Sequence, residues 1–200
     1  MIAGMIATVA RWLTGARAHW RGCGPDSRLR IYFANHTSNL DFVLLWSALP
    51  RALRLHTRPV GAQDYWRGGM IREFLARQVF NAVLIERHRV TRENNPLRPM
   101  LDALGAGESL IIFPEGTRHP DGQIDEFKPG LYHLAKMCPK VEFVPVFIEN
   151  LNRVLPKGEI LPVPILCSVN FGTPLALEAG ETKGDFLARA RTALVSLKPT

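Results

Sequence analysis

Short apolar runs separated by polar turns divide the chain, and most of the runs can be typed. Residues 29–34 are short and rich in β-branched and aromatic side chains, which suits a strand, and residues 42–46 carry the apolar run of a helix buried on one side. Pro50 closes that helix. Further on, the pattern predicts a short strand over 58–62, an Arg-bearing amphipathic helical stretch over 64–78 weakened by Gly68-Gly69, and a strand over 79–85. A helix over 96–104 follows, closed by Gly105 and Gly107. Residues 109–113 are almost wholly apolar, as a strand covered on both faces requires. A helix from Pro129-Gly130 through Cys138, strands over 142–148 and 165–171, and an amphipathic helix over 182–197 complete the pattern. Strands alternating with helices define an α/β class with a mixed, largely parallel sheet flanked by helices.

The N-terminal stretch has a different pattern. Residues 1–20 are apolar but for Arg11 and Arg17, and the uninterrupted part, 1–10, is about half the length needed to span a bilayer. On a helix, Ile2, Met5, Ile6, Val9, Trp12, Leu13 and Ala16 share one stripe, with Thr8, Arg11, Thr14 and Arg17 mostly off it. This predicts a short amphipathic helix over 1–22, broken by Gly22-Cys23-Gly24-Pro25. It reads as a membrane-association element or as a helix packed on its own domain; residues 23–200 form the second unit. No small-residue cleavage pattern follows it.

Two hundred residues, 46% of them hydrophobic, suffice for one core. The net charge of +7 is uneven: residues 51–100 hold ten arginines against Asp64, Glu73, Glu86 and Glu93. That half suits an anionic partner or is a solvated Arg-rich surface. Its arginines are not interleaved with stacking aromatics and no nucleic-acid motif occurs, so nucleic acid is not expected. Cys23, Cys138 and Cys167 show no CxxC or Cys/His spacing, so reduced thiols and no metal are expected.

In α/β sheets, ligands gather at the C-terminal ends of strands. Three polar clusters fall at such ends: residues 35–41, Glu86-Arg87-His88-Arg89, and Pro114-Glu115-Gly116-Thr117-Arg118. In the first, His36 and Asp41 lie in a strand-to-helix turn. Asp41 can sit in the first helical turn and accept from one imidazole nitrogen, leaving the other as a base; it reads equally as a helix-capping Asp beside a surface His.

Taken together, the clusters resemble the blocks of the glycerolipid acyltransferase family, that of the 1-acylglycerol-3-phosphate acyltransferases. Asn35-His36-Thr37-Ser38-Asn39-Leu40-Asp41 is similar to the N-H-x4-D block, and Val83-Leu84-Ile85-Glu86-Arg87 to the second. Phe113-Pro114-Glu115-Gly116-Thr117-Arg118 matches the third, Phe127-Lys128-Pro129-Gly130 the F-K-x-G that follows it, and Val144-Pro145-Val146 the fourth. Asn81 and Leu84 depart from the Gly and Phe usual in the second block, and many members have a longer hydrophobic N-terminus.

The resemblance implies a glycerol-3-phosphate acyltransferase-like fold and an acyltransferase domain over 23–200. It implies acyl transfer from acyl-CoA or acyl carrier protein to the free hydroxyl of 1-acylglycerol-3-phosphate, with no cofactor. Another lysophospholipid or a lyso-aminolipid is the alternative acceptor, and a non-catalytic anionic-lipid-binding module the alternative class. His36 would be the general base oriented by Asp41, without an acyl-enzyme, and Ser38 a turn residue. Arg87 and Arg118 would hold the acceptor phosphate, with Gly116 and Thr117 on the same binding loop. Glu115 would hold an acceptor hydroxyl or fix that loop by accepting backbone amides. Amides at the start of the Asp41 helix would serve the oxyanion. A peripheral location on the cytoplasmic face of the cell membrane follows from the same resemblance.

Overall fold

The computed structural model describes residues 2–86, 94–119, 121–149 and 167–199. Among them, seven strands form one sheet: β1 Arg17–Trp20, β2 Arg30–Ala34, β3 Thr57–Ala62, β4 Val83–Ile85, β5 Ser109–Ile112, β6 Glu142–Glu149 and β7 Ser168–Phe171. Their order is β1-β7-β6-β2-β5-β3-β4. Every pairing is parallel except β6 with β7, so the sheet is mixed and largely parallel.

Alternation of side chains across the strands builds two cores. Tyr32, Ala34, Ile111, Val144, Val146 and Ile148 face one layer, and Ile31, Phe33, Leu110, Ile112, Phe143 and Phe147 the other. The first layer is covered by α1 (Ile2–Thr14), α2 (Asp41–Ala48), α4 (Gln63–Trp66) and a π-helical turn (Leu75–Val79) that runs into Phe80, which bring Ala7, Leu44, Leu45, Trp46, Trp66, Ala76 and Phe80, while α5 (Met70–Phe74) buries none of its residues. The second is covered by α6 (Leu97–Gly105), α7 (Gly130–Met137) and α8 (Lys183–Val195), through Met100, Ala103, Leu104, Leu131, Leu134, Phe186, Ala190 and Leu194. Covered on both faces, β2 and β5 bury every residue, which is why their sequences run apolar instead of alternating.

Three boundaries differ from the sequence pattern. The N-terminal helix ends at Thr14, whose hydroxyl bonds back to the Ala10 carbonyl, instead of running over 1–22. Residues 17–20 leave it to pair with β7 as the edge strand β1. The stretch over 79–85 is strand only from Val83, because 75–79 wind as a π turn and Asn81 takes a left-handed conformation (φ 47°). The basic connection after Pro50 contains a single helical turn, α3 (Arg51–Arg54). Of the strand expected over 165–171, residues 165–166 lie outside the described residues.

α1 packs its small side chains inward and its large ones outward. Ala7 and Thr14 are buried, while Met5, Val9, Trp12 and Leu13 are exposed, Trp12 to 86%. One face of the helix therefore docks on the domain, while the other is apolar and exposed.

Candidate active site

The site forms where β2 ends. Asn35 follows the last residue of the strand and does the work of one more ladder position with its side chain. Its Nδ2 donates to the Ile148 carbonyl (3.0 Å) and its Oδ1 accepts from the Ile148 amide (2.7 Å), clamping the turn to β6. The chain then turns through residues 36–40 into α2, with Asp41 as its first residue.

Asp41 is completely buried, and one oxygen gathers the turn around it. Oδ2 accepts from the Thr37 amide (2.6 Å), the Ser38 amide (2.8 Å) and His36 Nδ1 (2.8 Å), and the Thr37 hydroxyl lies 3.4 Å from Oδ1. A carboxylate here can only accept, so His36 Nδ1 carries the proton and Nε2 is left with its lone pair. The imidazole stacks on Phe113 (centroids 4.2 Å apart, planes 20° from parallel), which fixes the ring plane. The turn thus fixes both the tautomer and the orientation of a base.

Glu115 supports this turn from the next strand end. It is 1% exposed; Oε1 accepts from the His36 amide (2.9 Å) and Oε2 from the Asp125 amide (3.0 Å). Of the two roles open to it in the sequence, the structure shows the second, a carboxylate that fixes backbone. Burial pushes its carboxyl above the ordinary glutamate value and the two amides pull it back down. His119 adds a second tie, its amide donating to the His36 carbonyl (2.8 Å). Glu115→Gln must aim its NH2 at one of the two amides it now accepts from. A loss of about 1–3 kcal/mol is expected in denaturant unfolding at neutral pH. A Gln variant as stable as wild type would show that Glu115 does not hold those amides.

The His36 ring opens onto a cavity of about 740 Å³. The cavity runs over the C-terminal ends of β3, β4 and β5 between the two helical layers. Val60, Trp66, Met100, Leu131 and Leu134 line its apolar body. Gly116, Thr117, Arg118, Lys128 and Glu86 add polar groups to its lining. Gly116 has φ +74°, a conformation that a side chain disfavours, while an added Cβ would meet nothing closer than the Lys128 side chain at 3.5 Å. The backbone turn, not crowding, asks for glycine there. Thr117 and Arg118 are exposed at the rim, with the Thr117 hydroxyl 3.2 Å from His119 Nε2.

The structure therefore brings His36, Asp41, Glu115, Gly116, Thr117 and Arg118 together; Arg87 lies outside the described residues. Lys128, which the sequence offers only as part of a motif, stands on the cavity wall with its side chain against Gly116. Within the turn, the amides of Thr37, Ser38, Leu40 and Asp41 already have acceptors at Asp41, Asp41, the Ser38 hydroxyl and the Ser38 carbonyl. Ser38 is a turn residue. Burial pushes the Cys167 thiol up to about 11 and raises those of Cys23 and Cys138, and none of the three lines the cavity.

A buried carboxylate thus holds an imidazole at the end of a cavity with an apolar body. The family model for acyltransferases matches residues 25–149, and the chain belongs to that family. It is similar to 1-acyl-sn-glycerol-3-phosphate acyltransferase of Limnanthes alba (29% identical over 170 residues, covering 80% of this chain and 56% of that protein). It is also similar to 1-acyl-sn-glycerol-3-phosphate acyltransferase alpha of Homo sapiens (28% identical over 184 residues, 90% and 62%). The chain thus spans little more than half the length of these curated relatives. Its fold is that of the crystal structure of PlsC, the 1-acyl-sn-glycerophosphate acyltransferase of Thermotoga maritima, at a TM-score of 0.74 and 22% identity over 98% of this chain and 77% of that one.

Proposed function

We propose that the chain transfers a fatty acyl group from an acyl thioester, on coenzyme A or acyl carrier protein, to the free hydroxyl of 1-acylglycerol-3-phosphate, giving phosphatidic acid. The observation that carries this reading is His36, held by Asp41 through Nδ1, opening onto a large apolar cavity with Arg118 and Lys128 beside it. His36 Nε2 takes the proton of the acceptor hydroxyl, and the oxygen attacks the thioester carbonyl. The tetrahedral intermediate expels the thiolate, which takes the proton back from the imidazolium that Asp41 stabilises. Transfer is direct in this reading: Ser38 holds the turn and the thiols lie elsewhere, so no acyl-enzyme is invoked, and the acyl donor enters as co-substrate. Arg118 and Lys128, with Arg87 from the second block, would hold the acceptor phosphate as charge-assisted donors, and the apolar body would take the acyl chain.

Membrane association belongs to the same reading. Among the described residues no helix is long and apolar enough to cross a membrane. α1, with Trp12 outward and Arg11 beside it, is suited to lie in one leaflet, from which a lysolipid must be drawn. We assign that leaflet to the cytoplasmic face of the cell membrane.

The test is an acceptor panel with purified protein and labelled acyl-CoA or acylated carrier protein. Lysophosphatidate should give phosphatidic acid, and monoacylglycerol, which lacks the phosphate, should be used at least tenfold less well, the scale of one lost charge-assisted contact. Equal use of both would remove the phosphate from the reading. A lyso-aminolipid used faster than lysophosphatidate would change the acceptor, and no transfer to any acceptor would reject the activity.

A further inference from the structure

Outside the residues that line the cavity, the segment 63–81 carries features that acyl transfer does not use. Met70 and Ile71 at the start of α5 are 90% and 77% exposed, and Phe74, one turn on, is exposed as well. Among the described elements, α1 also exposes several large apolar side chains. The three of α5 follow the flexible pair Gly68-Gly69 and stand on the layer that also carries α1, since Ala76 and Phe80 share a core cluster with Ala7.

Beside them is a polar cleft of about 470 Å³, lined by Arg58, Arg67 and Arg77 with Gln63, Gln78 and Asn81. Its cations are set in place: Arg58 bonds to the Asn81 carbonyl and lies 3.3 Å from Glu108, Arg77 bonds to Glu73, and the Gln63 amide accepts from Arg67. Arg67 and Arg77 still present exposed guanidinium groups. Arg72 leans over the ring of Tyr65, 4.9 Å from its centroid.

Apolar tips beside a cationic cleft match one occupant better than any other. A soluble phosphate would satisfy the arginines and leave Met70, Ile71 and Phe74 in water. An anionic bilayer satisfies both, with acyl chains for the tips and phosphates for the guanidinium forks. We propose that α4–α5 is a second membrane contact, in which Met70, Ile71 and Phe74 enter one leaflet while Arg58, Arg67 and Arg77 take the phosphate of an anionic lipid headgroup. The short helix α4 and the Arg67 that follows it then have two sides: Tyr65 and Trp66 line the cavity, and Gln63 and Arg67 line the cleft that takes the headgroup, so the apolar cavity sits close to the leaflet. The proposal deepens the lipid-enzyme reading and rests on it for the choice of occupant.

The test is sedimentation of the full chain with vesicles of phosphatidylcholine alone or mixed with phosphatidylglycerol, alongside acyl transfer to detergent-dispersed lysophosphatidate. Met70→Ser/Ile71→Ser/Phe74→Ser should lower partitioning into both vesicles by roughly tenfold or more. Arg67→Gln/Arg77→Gln should lower it about 30-fold for the anionic vesicles and little for the neutral ones, with the difference fading at high salt. All five positions lie outside the catalytic cavity, so activity in detergent should stand and report a folded protein.

Wild-type partitioning by the triple variant overturns the proposal. So does an arginine variant that loses neutral and anionic vesicles alike, or displacement from anionic vesicles by millimolar inorganic phosphate at constant ionic strength. If Trp12→Ser in α1 abolishes binding and the α5 variant does not, the membrane contact is α1 alone. If the variants bind vesicles normally but lose acyl carrier protein, the face serves a protein partner and the proposal fails. Activity in detergent decides the acyl-transfer reading separately in every case.

Discussion

His36→Ala should leave a folded protein whose release of thiol from an acyl thioester, in the presence of lysophosphatidate, falls about a thousandfold, the middle of the range for a positioned general base. The fold should survive because the side chain lies at the cavity end, makes its polar bond to Asp41 alone, and leaves Asp41 still bonded to the Thr37 and Ser38 amides. Its backbone tie to Glu115 is untouched. The loss should fall on kcat with little change in KM, since the base touches a proton that moves only in the transition state. His36→Gln, which can hydrogen-bond an acceptor hydroxyl but not take its proton, should be as inactive as His36→Ala. Wild-type thiol release by either variant would reject His36 as the base. A large rise in KM with kcat intact would make it a binding group instead.

Much of this site is legible in the sequence because its chemistry is local. His36 and Asp41 are five residues apart in a turn that both neighbours define, and Asp41 starts the helix where the apolar pattern begins. The alternation of strands and helices places that turn at a strand end. What stays hidden are partners brought from far along the chain. Glu115 accepts from an amide 79 residues earlier, and Asn35 pairs with Ile148 across 113 residues. Neither bond leaves a local pattern, so Asn35 reads as one more polar turn residue and Glu115 keeps two possible roles.

β1 is hidden for a different reason. Arg17-Ala18-His19-Trp20 is a mostly exposed edge strand that exists because β7 offers it a free edge, and its composition continues the helix-like stretch before it. Lys128 is visible as a motif letter, but its place on the cavity wall against Gly116 needs the loop geometry, in which the Lys128 amide bonds to the Pro114 carbonyl. The same loop explains why residues 113–118 and 127–130 recur as blocks: one builds the rim, and the other is tied to it.

Asp41 offers the sharpest separation between holding the turn and assisting the chemistry. Asp41→Ala leaves the Thr37 amide, the Ser38 amide and His36 Nδ1 without their acceptor in a completely buried place. Even if water reaches one of them, the loss should be about 3–5 kcal/mol in denaturant unfolding, with activity gone because His36 is no longer held. Asp41→Asn is different. Its carbonyl can replace Oδ2 and keep all three donors, while its NH2 takes the Oδ1 side near the Thr37 hydroxyl. The turn should survive at a cost of about 1–2 kcal/mol, the difference between a charge-assisted and a neutral acceptor. The imidazolium formed during transfer then loses its counter-charge, and kcat should fall by roughly two to four orders of magnitude. The two variants should therefore part company: similar in lost turnover, several kcal/mol apart in stability. An Asn variant with wild-type kcat would make Asp41 a cap for α2 and nothing more. An Asn variant as unstable as Ala would mean that the charge itself, not the acceptor geometry, holds the turn.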